Sequence, residues 1–224
     1  MARSISAASS VLFDLDGTFA DTAPDLGAAL NHLRADLGLA PVPLEQLRPH
    51  TSSGVRGMLG AGLDMRPHDA RYAEFYARYL HFYSEALCVH TTLFPGIEEL
   101  VSQLEANGVP WGIITNKTQR FTLPLLEQLG YAKRADCIVS GDSSPRTKPA
   151  PHPMHLACRL IDRLPADCLY VGDDLRDIQA GRAVGMPTIA VRYGYLGSSE
   201  PIEAWGADHL VEHAADIAAL AGLA

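Results

Sequence analysis

Val11-Leu12-Phe13-Asp14-Leu15-Asp16-Gly17-Thr18 is the stretch on which the reading of this chain turns. A short apolar run bounded by a turn signal suits a strand buried on both faces of a parallel sheet. The run ends on two carboxylates at i and i+2, which face a common point on a turn leaving a strand, and Gly17 gives the backbone freedom to bend there. Carboxylates so close repel unless a cation sits between them, which points to Mg²⁺. Further strand-like runs follow at Trp111–Ile114, Cys137–Val139, Cys168–Val171 and Thr188–Val191, with a weaker one at His209–Val211. Helical patterns lie between them. Ile97, Leu100, Val101 and Leu104 fall at i, i+3, i+4 and i+7 before Gly108. This is the βαβ alternation of an α/β fold, a Rossmann-like parallel sheet with helices on both faces, whose ligands sit beyond the carboxyl ends of the strands.

The alternation breaks between Thr22 and about His90. Pro24 suits a first helical turn, and Leu26, Leu30, Leu33 and Leu37 form a stripe that Gly38 ends. A second helix carries Tyr72, Phe75, Tyr76, Tyr79, Phe82 and Tyr83, read as core packing rather than a cofactor box. The expectation is a core domain of residues 1–21 and 91–224, and a small all-helical domain of residues 22–90 inserted after the first strand. The stretch from Ser143 to Pro153 is too proline-rich for regular structure.

Composition narrows the function classes. The 224 residues are 47% hydrophobic and 20% charged, an ordinary globular balance. Lys plus Arg is 18 and Asp plus Glu is 26, giving a net charge of −8, so the chain carries no electrostatic footprint for nucleic acid or an anionic membrane. No run approaches a membrane span, and residues 1–10 lack the apolar region of a secretory leader, so a cytoplasmic protein is expected. Four scattered cysteines, Cys88, Cys137, Cys158 and Cys168, with no CxxC pair argue against a disulfide framework or a zinc site.

Three further motifs fall at strand ends. Thr115-Asn116-Lys117 offers a hydroxyl and exposed backbone N–H groups to an anion. Lys148-Pro149 places in a fixed loop one of only three lysines, the others being Lys117 and Lys133. Gly172-Asp173-Asp174-Leu175-Arg176-Asp177 puts more carboxylates at a strand exit, although Asp174 and Asp177 also suit a helix N-cap.

In this order, the motifs resemble the haloacid-dehalogenase superfamily of phosphohydrolases, and the helical insertion resembles that family's type-1 cap. Within it, the chain looks like the phosphoglycolate-phosphatase-like branch. Ser52–Met58, Cys88–Gly96, Val191–Tyr195 and Trp205–Asp208 are similar to bacterial N-acetylmuramic acid 6-phosphate phosphatases. Phe19-Ala20 departs from the two bulky aliphatics usual there, which touches packing rather than chemistry.

The resemblance implies a Mg²⁺-dependent phosphatase acting on a small phosphorylated metabolite. Asp14 is then the nucleophile and Asp16 the general acid/base. Mg²⁺ would be held by Asp14, the Asp16 backbone carbonyl and Asp173. Thr115, Asn116 and Lys148 would bind the phosphoryl oxygens, with Asp174 and Asp177 behind them. Ser52, Ser53, Gly54 and Arg56, together with Thr51, are the substrate-choosing candidates of the insertion, Arg56 pairing a carboxylate. N-acetylmuramic acid 6-phosphate is the expected substrate, with phosphoglycolate the alternative. A sugar phosphomutase shares this machinery. A phospho-receiver domain fits poorly, because its reactive Asp ends the third strand and no insertion interrupts it. A dehalogenase needs no Asp16, and a phosphonate-cleaving relative needs a lysine that residues 19–95 lack.

Overall fold

The computed structural model describes residues 10–197 and 200–223. Residues 1–9, where no secretory leader was expected, lie outside them.

Six short runs form one parallel sheet, and the continuous burial of its four inner strands reflects cover on both faces. The strands are β1 (Ser10–Phe13), β4 (Trp111–Ile114), β5 (Cys137–Val139), β6 (Cys168–Gly172), β7 (Thr188–Val191) and β8 (His209–Val211). Every residue of β1, β4, β6 and β7 is buried. The spatial order is β5-β4-β1-β6-β7-β8. β4 and β5 therefore step outward on one side of β1, and β6, β7 and β8 on the other. The reversal lies between β1 and β6, where a doubly wound sheet opens a crevice for ligand. Val11 pairs with Trp111 on one side and Leu169 on the other, so the ends of β4, β1 and β6 lie side by side.

Helices α5 (Ile97–Ala106), α6 (Gln119–Leu129), α7 (His152–Leu160), α8 (Leu175–Ala183) and α9 (Ala215–Leu220) connect or flank the strands. In α5 the expected stripe of Ile97, Leu100, Val101 and Leu104 is buried, and Gly108 takes a left-handed φ of 64° just past the end. One expectation needs correction. The proline-rich stretch does not stay irregular to Pro153, because α7 begins at His152. Pro151 is its N-cap and Pro153 lies in its first turn, where a missing N–H costs nothing.

Between β2 (Ala20–Asp21) and β3 (Thr92–Leu93), an antiparallel pair of two residues each, the chain is helical. It forms α1 (Ala23–Asp36), α2 (Leu44–Leu47), a 3₁₀ segment (Arg48–Ser53), α3 (Gly54–Leu63) and α4 (Tyr72–Glu85). Leu26, Leu30 and Leu33 of α1 are buried, and the Tyr79 hydroxyl of α4 donates to the Leu26 carbonyl at 3.0 Å. Asp25 ties the returning chain to α1 by accepting from the backbone N–H groups of Val89, His90 and Thr91. Phe19 is fully buried beneath this junction, stacked on Trp111 at 5.6 Å and edge-on to Tyr131 at 5.2 Å. The aromatic ring there fills a space walled by aromatics.

Candidate active site

β1, β4 and β6 each deliver one residue to a common point at their carboxyl ends: Asp14, Thr115 and Asp173. Lys148 arrives from the loop after β5, and Asn116 fixes it. The Asn116 side chain accepts from the Lys148 N–H at 2.9 Å and donates to the Lys148 carbonyl at 3.0 Å. The Lys148 ammonium is almost fully buried and lies 2.7 Å from both Asp14 Oδ1 and Asp177 Oδ1. It also donates to the Ile114 carbonyl and the Tyr170 hydroxyl at 2.9 Å each.

Oxygens of Asp14, Asp173 and Asp177 lie within 4.8 Å of one another. Burial, then the neighbouring Asp177 charge, pushes the Asp14 carboxyl up to about 7, with Lys148 pulling the other way. Burial, Asp14 and Asp177 likewise raise Asp173 well above the usual carboxylate range. Three crowded hard-oxygen donors whose charges resist one another are a donor set that suits a divalent cation such as Mg²⁺. Asp173 is oriented at both oxygens, accepting from the Thr18 hydroxyl at 2.9 Å and the Tyr195 N–H at 2.8 Å. Gly17, at φ 91°, passes so close that a Cβ there would sit 2.2 Å from the Asp173 carboxylate. The cluster thus brings in Asp177 beside the expected Asp14 and Asp173. The Asp16 carboxylate points elsewhere, accepting from Thr22 Oγ1 at 2.5 Å and pairing with Lys117 Nζ at 2.9 Å.

Asp174 and Asp177 are an N-terminal capping box of α8, and Asp177 does more. One of its oxygens accepts from the Asp174 N–H at 3.1 Å while the other meets Lys148. Asp174 is gripped by Arg176 at both oxygens, at 2.7 and 2.9 Å. Burial works against its charge, yet Arg176 holds it below the ordinary carboxylate range. The same guanidinium donates to the Ser52 carbonyl at 2.5 Å, joining the strand-end site to the helical segment.

Above the carboxylates opens a cavity of about 320 Å³. Asp14, Asp16, Thr115, Asn116, Lys148, Asp174 and Asp177 line it from the sheet side, and Ser52, Ser53, Gly54 and Arg56 from the helical side. Asp173 lies beneath, fully buried. Several lining residues were not among the sequence candidates: Lys117, Arg120 and Arg176, and the aromatic wall of Tyr76, Tyr79 and Tyr83. The aromatic run of α4 is therefore only partly core packing. Phe75 is buried in the hydrophobic core; Tyr79 and Tyr83 belong to that core and also line the cavity, and Tyr76 lines it while partly exposed. The scarcity of lysine was a usable signal, since two of the three, Lys117 and Lys148, stand here.

The family model for haloacid dehalogenase-like hydrolase matches residues 11–191, which run from β1 to the end of β7 and include every residue that lines the cavity. The chain belongs to the haloacid dehalogenase-like hydrolases. It is 40% identical over 203 residues to the N-acetylmuramic acid 6-phosphate phosphatase of Pseudomonas putida, covering 91% of each chain. It is 44% identical over 207 residues to the phosphoglycolate phosphatase of Xanthomonas campestris, covering 90% of this chain and 91% of that one. A solved structure of a predicted phosphoglycolate phosphatase from Haemophilus somnus superposes with a TM-score of 0.85 at 26% identity, covering 96% of this chain and 99% of that one. This haloacid dehalogenase-like chain is thus an enzyme of a hydrolase family whose relatives are named as phosphatases. Among its described residues no helix is long and apolar enough to cross a membrane.

Proposed function

We propose that this hydrolase is a Mg²⁺-dependent phosphomonoesterase that forms an aspartyl-phosphate on Asp14 and acts on N-acetylmuramic acid 6-phosphate. Asp14 sits where a phosphoryl group would meet Lys148 and Thr115, so the charge that develops in transfer falls among preplaced donors. Attack by an Asp14 oxygen forms the P–O bond as the ester P–O bond breaks, and Asp16 protonates the leaving alkoxide. Asp16 then takes a proton from the water that attacks phosphorus, releasing phosphate and restoring Asp14. Asp14, Asp173, the Asp16 backbone carbonyl and Asp177 directly or through water would hold Mg²⁺, which supplies charge neutralisation between phosphate and nucleophile. We read residues 22–90 as a helical cap closing over the core of residues 1–21 and 91–224.

The observation that carries the substrate choice is the size and lining of the cavity. At about 320 Å³ it falls in the range that encloses a ligand of roughly two dozen heavy atoms, whereas phosphoglycolate has only about nine. The aromatic wall of Tyr76, Tyr79 and Tyr83 suits the apolar face of a sugar, and Arg56 on the rim suits its lactyl carboxylate. The test compares kcat/KM for N-acetylmuramic acid 6-phosphate and phosphoglycolate at equal low concentration with Mg²⁺. The sugar phosphate is expected to react faster, and faster turnover of phosphoglycolate overturns the assignment. Arg56→Ala should cost about ten- to hundredfold on the carboxylated sugar phosphate while sparing N-acetylglucosamine 6-phosphate.

A further inference from the structure

Lys117 has no part in the mechanism above, yet it is held more firmly than a surface lysine. Its N–H donates to Thr115 Oγ1 at 3.1 Å, and its carbonyl accepts from the Gly141 N–H at 2.8 Å and Thr122 Oγ1 at 3.1 Å. The base of the side chain is therefore fixed at the end of β4. From there the ammonium crosses to the turn after β1, with only 8% of the side chain exposed, and reaches Asp16 Oδ1 at 2.9 Å. Its second contact comes from the helical insertion. The ammonium donates to the Tyr83 hydroxyl at 3.0 Å and stands 4.9 Å from the centre of that ring. Tyr83 itself packs on Phe121 at 5.3 Å.

Thr22 and Lys117 both address Oδ1 of Asp16, and no described residue donates to Oδ2. One oxygen is anchored and the other is left to carry and deliver a proton. Burying an ammonium beside a carboxylate is costly to folding, and an apolar pair fills such space more cheaply. A lysine at this carboxylate points to placement. We propose that Lys117 is the positioning residue of the acid/base carboxylate Asp16, and that Tyr83 from the helical insertion completes the placement. The inference rests on the phosphatase reading, in which Asp16 protonates the leaving group. It follows that the acid is correctly aimed only while α4 is docked over the site, so proton delivery depends on a covered substrate.

The test uses leaving groups of different basicity. An alkyl ester such as N-acetylglucosamine 6-phosphate needs a proton on its departing oxygen, whereas p-nitrophenyl phosphate releases a stable phenolate. The quantity read is kcat/KM, which reports the first phosphoryl transfer, with Mg²⁺ present. Asp16→Asn should lose far more on the alkyl ester than on the aryl ester, and equal losses would sink the reading of Asp16 itself. Given that selectivity, Lys117→Met should lose about ten- to hundredfold on the alkyl ester and much less on the aryl ester. Tyr83→Phe, which keeps the ring and removes one hydroxyl, should lose severalfold in the same direction. Selective loss in Asp16→Asn with equal or absent losses in the other two overturns the proposal. So does a faster alkyl reaction in Lys117→Met, which would make the pair a restraint. If Lys117→Met does not fold, Tyr83→Phe decides alone.

Discussion

Replacing Lys148 by methionine removes the ammonium that stands between Asp14 and Asp177, 2.7 Å from each. The methionine fills most of the volume, so the main effect is electrostatic. Lys148 is 4% exposed and Asp177 1%, and solvent screens little there. Removing one partner of a buried ion pair costs about 3–5 kcal/mol, because the remaining charge stays desolvated and unpaired. For a chain of this length each kcal/mol lowers Tm by roughly 2–4 °C, so Lys148→Met should melt about 6–20 °C lower in chelator. A divalent cation would neutralise the freed carboxylates, so the rise in Tm on adding Mg²⁺ should be larger in the variant than in wild type. Adding Asp177→Asn to Lys148→Met should recover part of the loss. Differential scanning calorimetry with and without Mg²⁺ measures all three. A chelator Tm within about 2 °C of wild type, with equal Mg²⁺ shifts, would refute the view of Lys148 as the buried counter-charge.

Other consequences are simpler to read. Mg²⁺ should raise wild-type stability by about 2.7 kcal/mol at a hundredfold excess over its dissociation constant, and Asp173→Asn should abolish both that rise and turnover. Arg176→Gln breaks the bridge from Asp174 to the Ser52 carbonyl; KM for the sugar phosphate should rise about tenfold with a smaller change in kcat. Phe19→Ala empties the space between Phe13, Trp111 and Tyr131 and should cost about 3–5 kcal/mol in chemical denaturation while leaving KM near wild type.

The sheet was legible because its central strands are uninterrupted apolar runs, and Val11–Phe13, Trp111–Ile114 and Cys168–Val171 are buried on both faces. Given that topology, the residues after each run had to converge, which is why the motifs that carry Asp14, Thr115 and Asp173 could be placed at strand ends from the order of the runs. Periodicity could not say what a helix face meets. Tyr76, Tyr79 and Tyr83 share a face with core residues, and only the packing of α4 over the sheet ends makes that face a cavity wall. Nor could it show Lys117. Its partners lie 101 residues back at Asp16 and 34 back at Tyr83, and nothing in the local spacing connects them. Arg176 looked like an ordinary first-turn residue of α8 because its contact, Ser52, is 124 residues away. The two-residue strands β2 and β3 are too short for any pattern to register.

If Asp14 carries the phosphoryl group, acid-quenched turnover should trap it there. Enzyme mixed with saturating sugar phosphate and Mg²⁺ is quenched within one turnover, reduced with borohydride to fix any acyl-phosphate, digested and weighed by peptide mass. Modification is expected at residue 14 alone, appearing with a burst and absent in Asp14→Asn. A reduced product at Asp16 or Asp173, or phosphate release with no modified carboxylate at any quench time, would contradict it.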